Sequence, residues 1–152
     1  MHLVIAPVTL PVRARALVPL EAAIERVDAG IPRGPEIEGK TVIIANAPLT
    51  LLLSYIQVAR AASGVPRPAH LYFLASTSSE LTIQRSRPHA LRVELAQGFL
   101  FRPEETHYRT DARGLRSVAL SGLRAEVLDR TSDGRPKSVE FQFEEDLDSP
   151  RY

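Results

Sequence analysis

The residues most suggestive of chemistry lie between Gly34 and Thr41, where the sequence GPEIEGKT matches the phosphate-binding pattern G-x-x-x-x-G-K-[ST]. Such a loop binds phosphate through backbone N–H groups and a helix N-terminus, so a strand must precede it and a helix must follow. Here a linker precedes the motif and the β-branched run TVII follows it. Pro35 lacks an N–H donor, and the carboxylates of Glu36 and Glu38 would repel phosphate. We interpret the motif as a turn leading into a strand, and we expect no nucleotide ligand.

A second candidate site consists of polar residues that follow two apolar runs. Asn46 follows the run TVIIA, and Ser76, Thr77 and Ser78 follow the run HLYFLA. Ligands of open α/β sheets bind beyond the carboxyl ends of parallel strands, so these residues form a candidate small-molecule site offering an amide and hydroxyls. In the structural alternative, Asn46 caps a helix and the Ser/Thr run is a turn between strands.

The one local cluster of basic residues contains Arg109, Arg113 and Arg116, together with His107. Guanidinium groups favour anions, which makes these arginines a candidate anion site, although such loops commonly face water. The net charge is only +1, and few aromatic residues lie among the arginines. Both observations argue against a nucleic-acid partner.

Metal and nucleophilic chemistry have little support in the sequence. The chain has no cysteine, and its four histidines show no i, i+4 pairing. No Gly-x-Ser-x-Gly sequence is present, and the acidic residues 144–148 lack the pattern of a calcium loop, so we interpret them as a solvated end. We therefore expect no catalytic residue, no metal and no cofactor.

The element that organises the chain is a predicted β-α-β unit over residues 39–80. The run TVII predicts the first strand, the apolar segment from Pro48 to Ala62 a helix buried on more than one side, and the run HLYFLA a second, parallel strand. Residues 1–38 contain an apolar segment, too short to span a bilayer, and an amphipathic helix over residues 19–29.

Over residues 81–152, an apolar–polar alternation predicts antiparallel strands, and in residues 81–95 it predicts a hairpin with one solvated face. The dipeptide Asp133-Gly134 is typical of a tight hairpin. The 152 residues are thus predicted to form a single α+β domain, an α/β-like β-α-β unit followed by antiparallel hairpins, with two to three helices and about seven strands.

Three segments carry a resemblance to a known group of proteins. They are GKTVIIANAP at residues 39–48, GLRAEV at 122–127 and TSDGRPKSVEFQF at 131–143. Through these, most of the chain resembles the C-terminal soluble region of bacterial polytopic membrane proteins of unknown function. The resemblance implies attachment to a membrane through helices upstream of this chain. It supplies no activity and no catalytic residue.

Two hypotheses about function follow. The first is a non-catalytic accessory or interaction domain, bound to a protein partner or to the membrane helices of a parent protein. The cytoplasmic side is favoured because an apolar run precedes Arg13 and Arg15. The second is a small-molecule-binding or hydrolytic domain that uses Asn46 and the loop after the second strand. Self-association through an exposed strand edge is a further possibility.

Overall fold

The computed structural model describes residues 22, 24–47, 53–77, 80–99 and 112–152, and its architecture is mixed α+β with mostly strands. Seven strands lie in these ranges, in a two-stranded parallel sheet and a five-stranded antiparallel sheet. The predicted α+β class is therefore confirmed. The predictions for residues 1–21 lie outside the described residues.

The predicted β-α-β unit is present. Strand β1 (Thr41–Asn46) pairs in parallel with strand β2 (His70–Ala75), and Ile43 lies opposite Tyr72. An earlier helix, α1, has residues 24–28 described, and helix α2 (Leu53–Ala62) connects the two strands. The β-branched residues of β1 suit a strand that is covered on both faces.

Strands β1 and β2 form a ribbon between two hydrophobic cores. On one side, residues of the ribbon pack with Ile31, Ile37 and Ile56 from the α1–β1 connection and from α2. On the other side, Leu74 and Ala75 pack against the five-stranded sheet. Alternate side chains of a strand point to opposite faces, so one ribbon serves both cores.

Arg60 holds the α2 side of the ribbon together. Its side chain is 2% exposed, and its Nε donates to Asp28 Oδ1 at 2.5 Å. Its two terminal nitrogens donate to the backbone carbonyls of Asp28, Ile31, Pro32 and Pro66, at 2.8–3.3 Å. Since all five N–H groups have acceptors, the buried guanidinium is fully satisfied.

The prediction that α2 is buried on more than one side is wrong for the side chains that the structure describes. Tyr55 and Val58 are each 61% exposed, whereas Ile56 and Arg60 are buried. Among the described residues, the ribbon and the α1–β1 connection cover one face of the helix, and the face with Tyr55 and Val58 is left uncovered. No helix in the described ranges is long and apolar enough to cross a membrane.

The second half of the described chain forms the antiparallel sheet. Its strands are β3 (Leu81–Arg87), β4 (Ala90–Leu95), β5 (Ser117–Leu120), β6 (Leu123–Arg130) and β7 (Pro136–Phe143). They are arranged in the order β3-β4-β7-β6-β5, which places β7 at the centre and β3 and β5 at the edges.

The predicted hairpin at Asp133-Gly134 is present, with a longer loop than a two-residue turn. Thr131 N donates to Arg135 O at 2.9 Å, and Gly134 N donates to Thr131 O at 2.9 Å. The loop therefore has three residues, with Gly134 at φ +89° in the left-handed region that glycine favours.

Strand β7 is largely buried on both of its faces. Ser138 is fully buried and Glu140 is 6% exposed, although both lie on the face opposite to Val139 and Phe141. The central position explains this, because Arg92 from the neighbouring strand β4 and Ser86 from β3 reach over that face, together with Gln142 of β7 itself. Arg92 Nε donates to Ser138 Oγ, while Ser86 Oγ and Gln142 Nε2 donate to the Glu140 carboxylate, each at 2.9 Å.

The acidic segment 144–148 is anchored, in contrast to the solvated end predicted from its composition. The Arg85 side chain donates to Asp146 Oδ1 at 2.7 Å and to Asp148 Oδ2 at 2.9 Å. Leu147 N donates to Pro88 O at 3.0 Å, and Arg151 Nη1 donates to Glu145 Oε1 at 2.9 Å. We call residues 144–151 with Arg85 the C-terminal clasp.

Candidate functional site

The carboxyl ends of β1 and β2 bring together two of the predicted ligand-binding residues. Asn46 Nδ2 donates to Thr77 O at 3.0 Å, and Thr77 N donates to Asn46 Oδ1 at 3.0 Å. Ser76 lies beside them and is half-buried, while Ser78 lies outside the described residues. The amide of Asn46 thus continues the pairing of the two strands through its side chain.

The two hydrogen bonds of the Asn46 side chain link the carboxyl end of β1 to the residues that follow β2. The side-chain amide of Asn46 uses one donor and its oxygen on the backbone of Thr77, which leaves one N–H and one lone pair. The structure therefore gives Asn46 a structural partner, and the ligand-binding role of Asn46, Ser76, Thr77 and Ser78 stays a prediction.

The predicted anion site is extended by residues that the sequence argument missed. Arg109 lies outside the described residues, whereas Arg113 lies in a 3-10 helix (Ala112–Gly114) and Arg116 precedes β5. Arg130 and Arg135, which flank the β6–β7 loop, lie at the same end of the sheet. Arg130 Nη1 donates to Gly134 O at 2.9 Å and its Nη2 donates to Leu115 O.

Asp133 is the acidic member of this end of the sheet. It accepts hydrogen bonds from Thr131 Oγ1 and from Arg135 Nε, the latter at 2.7 Å. These bonds, with the charge of Arg135, lower the pKa of Asp133 to about 2. The guanidinium groups of Arg130 and Arg135 thus serve the loop itself, and anion binding by Arg109, Arg113 and Arg116 stays a prediction.

The residues of the GPEIEGKT motif lie in the context expected from the sequence. Pro35–Ile37 form a single 3-10 turn, and Thr41 begins β1. The backbone carbonyl of Lys40 accepts a hydrogen bond from Ala69 N at 2.8 Å. A strand follows the motif where a phosphate-binding loop requires a helix.

Two histidines lie within the described ranges, and both have structural surroundings. The ring of His70 stacks on Tyr72 with centroids 6.0 Å apart, and the carbonyl of His89 accepts a hydrogen bond from Phe143 N at 2.8 Å. Within the part of the chain that the structure describes, no three His, Asp or Glu side chains are grouped closely enough to hold a metal ion.

The most exposed apolar strand is β5, which sequence reasoning did not single out. Among the described strands it pairs with β6 alone, with Val118 opposite Ala125 and Leu120 opposite Leu123. Leu123 and Ala125 belong to or pack on the main core, so Val118 and Leu120 face the same side of the sheet. They lie beyond the cover of the ribbon, since Val118 is 40% and Leu120 is 59% exposed.

Successive residues of β5 direct their backbone groups alternately toward β6 and toward the open edge. Val127 N donates to Arg116 O at 2.9 Å, so Arg116 directs its carbonyl toward β6. In an antiparallel ladder this direction alternates from residue to residue. Val118 and Leu120 therefore bond to β6, whereas Ser117 and Ala119 direct their N–H and C=O groups away from the sheet.

The turn that ends β5 is held by a contact with strand β2 of the ribbon. Gly122 has φ +77°, and a Cβ there would lie 2.9 Å from Tyr72 Oη. The hydroxyl of Tyr72, on β2, donates to Ser121 O. This contact ties the β5–β6 hairpin to the ribbon and holds the open edge in place.

The opposite edge of the sheet is protected. Strand β3 carries Arg85 and Arg87, has a register shift between them, and is bordered by the C-terminal clasp. Charged side chains and bulges are devices that block edge-to-edge pairing. Strand β5 has no charged residue, and its shortness (four residues) is the one such device that it shows. The signal in the sequence was the uncharged run SVAL between two polar segments.

Comparison of the chain with protein-family models, with curated proteins and with solved structures gives no match.

Proposed function

We propose that the protein is a non-catalytic interaction domain that binds an extended segment of a protein partner along β5. The observation that carries the proposal is the open edge of β5. Ser117 and Ala119 direct backbone groups outward, and Val118 and Leu120 present exposed apolar side chains. Strand addition uses both features, because main-chain hydrogen bonds supply affinity and side chains at alternate positions supply specificity.

The energies involved suit a reversible contact. Each added hydrogen bond contributes about 0.5–1.5 kcal/mol net, and full burial of a Val or Leu side chain contributes about 1.5–3 kcal/mol. Val118 and Leu120 are already partly buried, so each gains less than that. Association entropy opposes these terms, so four backbone groups and two side chains support transient binding.

The other candidate residues support a non-catalytic role by the partners they have. Asn46 is bonded to the backbone of Thr77, and the guanidinium of Arg60 has all its donors satisfied within the fold. Hydrogen bonds of this kind hold neighbouring backbone segments of the fold in place. These contacts favour an interaction domain over a small-molecule-binding or hydrolytic one.

The membrane setting is a further part of the proposal, and it is supported by the resemblance of residues 39–48, 122–127 and 131–143 to C-terminal soluble regions of bacterial polytopic membrane proteins. In this setting, the domain binds its partner beside the membrane, on the cytoplasmic side. The coding sequence upstream of Met1 tests this part. It should encode apolar helices of about 20 residues each, and an upstream stop codon in the same frame would contradict it.

Strand addition is tested by Ala119→Pro. The N–H of Ala119 faces the open edge, so proline there removes an outward donor and leaves the β5–β6 hydrogen bonds in place. Phage-displayed dodecapeptides would be selected on the immobilised wild-type chain, and each selected clone would then be measured on the variant. We expect the clones to lose binding to Ala119→Pro.

The matched control is Ala119→Thr, which keeps the N–H and adds a β-branched side chain suited to a strand. The selected clones should bind it as they bind the wild type, and circular dichroism should show the same melting behaviour for all three chains. Clones that bind Ala119→Pro as tightly as the wild type, or a selection that yields no binding clone, would contradict strand addition at β5.

A further inference from the structure

Four of the described arginines have guanidinium groups that take part in no described hydrogen bond or ion pair, and two of these border β5. The four are Arg26, Arg67, Arg116 and Arg124, all exposed. By contrast, Arg33, Arg85, Arg87 and Arg151 are paired with carboxylates. Within the described ranges, the open edge of β5 is therefore bordered by positive charge that no carboxylate neutralises.

From this charge we infer that the β5 edge selects acidic partner segments, an inference that rests on the proposed function. The segment carries apolar residues against Leu120 and Val118 and a carboxylate against Arg116. The occupant is an extended, antiparallel stretch of another protein.

The position of Arg116 determines where an acidic side chain of the partner would lie. Arg116, Val118 and Leu120 alternate along the chain, so their side chains share one face of the sheet. A partner strand beside β5 places its own alternate side chains opposite these three. The arginine thus meets a side chain of the partner at the end of a short apolar row.

The other face of this edge carries one charge of each sign on β6. Arg124 lies opposite Ala119, and Glu126 lies opposite Ser117, one strand farther in. The side chain of Arg124 is exposed, whereas that of Glu126 is half-buried. Along β5 and the facing residues of β6, two exposed guanidinium groups thus lie against one carboxylate, while the Glu144 carboxylate near the Gly122 turn is paired with Arg151 at 3.3 Å.

The order of residues in the partner follows from strand direction. Every pairing in the five-stranded sheet is antiparallel, and antiparallel ladders are slightly more stable per residue. Read from its N-terminus, an antiparallel partner meets Leu120 first, then Val118 and then Arg116. The preferred segment therefore has the pattern apolar-x-apolar-x-acidic.

Two fluorescein-labelled peptides provide the test. The first, Thr-Val-Thr-Val-Thr-Glu-Thr-amide with the label on its N-terminal amine, has the preferred pattern, and the second has Lys in place of Glu with the same N-terminal label. Binding is measured by fluorescence anisotropy with the full chain, at low salt and at high salt. We expect the Glu peptide to bind about five- to tenfold more tightly at low salt, the size of one surface ion pair exchanged for a repulsion, and the ratio to shrink at high salt.

Charge reversal sharpens the test. Arg116→Glu should invert the preference, so that the Lys peptide binds more tightly than the Glu peptide. Arg67→Glu is the matched control, because Arg67 is equally exposed but lies in the connection between α2 and β2. It should leave the preference unchanged.

The outcomes separate this inference from the proposed function. If Ala119→Pro abolishes binding while both peptides bind the wild type equally, strand addition stands and the acidic preference is overturned. If neither peptide binds, or if Arg116→Glu leaves the ratio unchanged, the acidic preference is likewise overturned. Peptide binding that survives Ala119→Pro overturns the proposed function itself. A concentration-dependent dimer that Ala119→Pro dissociates would make a second copy the occupant and overturn the inference.

Discussion

At the scale of single residues, Arg60 shows how a charged side chain can act as part of a core. It is 2% exposed and donates five hydrogen bonds, four of them to backbone carbonyls. One of those carbonyls belongs to Asp28 at the end of α1, and the other three belong to Ile31, Pro32 and Pro66 in the connections on either side of α2 and the ribbon, which have no regular secondary structure. A buried carbonyl without a donor is costly, so the guanidinium determines the path of both segments.

Replacing this arginine should therefore be severe. We expect Arg60→Met, which keeps the volume and removes the donors, to lower the free energy of unfolding by about 3–5 kcal/mol, as for other buried pairs broken on one side. Urea denaturation followed by circular dichroism measures this change. Arg67→Met is the matched control at an exposed position and should be nearly neutral. A loss below about 1 kcal/mol for Arg60→Met would show that water or other groups replace the guanidinium.

Asn46 allows the two hypotheses about function to be separated. Its amide makes two hydrogen bonds to the backbone of Thr77, both at an exposed position. We expect Asn46→Ala to lower the free energy of unfolding by about 1–2 kcal/mol, measured by urea denaturation. Asn46→Asp keeps the acceptor for Thr77 N and should cost less. Unchanged stability in Asn46→Ala would favour a ligand-binding role for this residue.

At the scale of elements, the C-terminal clasp links the end of the chain to the β3–β4 hairpin through exposed ion pairs. A hydrogen bond from Arg85, with its charge, lowers the pKa of Asp148. Hydrogen bonds from Ser149 and Arg151 lower the pKa of Glu145. A carboxyl group with a lowered pKa in the folded state stabilises the fold above its unfolded pKa, and this contribution is lost as the pH falls through the folded value.

The clasp should therefore weaken in acid. The ordinary values for Asp148 and Glu145 are 3.8 and 4.5, so the stabilisation is complete at neutral pH and falls away below about pH 4. We expect Arg85→Gln to lower the melting temperature at pH 7 and to differ less from the wild type at pH 2–3. Thermal unfolding at several pH values measures this difference, with Arg67→Gln as control. A difference that does not depend on pH would contradict the ion-pair account.

At the scale of the whole molecule, the parts of the fold predicted from the sequence are those with a strong local pattern. The β-branched run 41–44 and the apolar run 70–75 predicted two parallel strands, and the structure pairs them with Ile43 opposite Tyr72. The alternation in residues 81–95 and 139–143 likewise predicted strands of the antiparallel sheet. Periodicity reports which face of a segment is apolar, and this information is local.

What the sequence could not supply was the order of the strands, and this order decides the exposure of each one. The run SVAL reads as a modest strand, but its place at the sheet edge makes Val118 and Leu120 accessible. Glu140 is a polar member of the alternation in β7, yet the central place of this strand buries it. In the sequence, Arg60 is a polar residue that interrupts an apolar helix, and only the folded connections around it show that it is buried and hydrogen-bonded. Long-range packing overrides local patterning in each of these residues.

The hydroxyl of Tyr72 gives the molecule a direct mechanical connection between its two halves. It joins β2, which runs between the two cores, to the turn at Ser121 where β5 ends. Tension applied along a strand docked on β5 would therefore be carried by the ribbon as well as by the β5–β6 hydrogen bonds. A domain held at one end and pulled at the other would resist that tension through its buried layer.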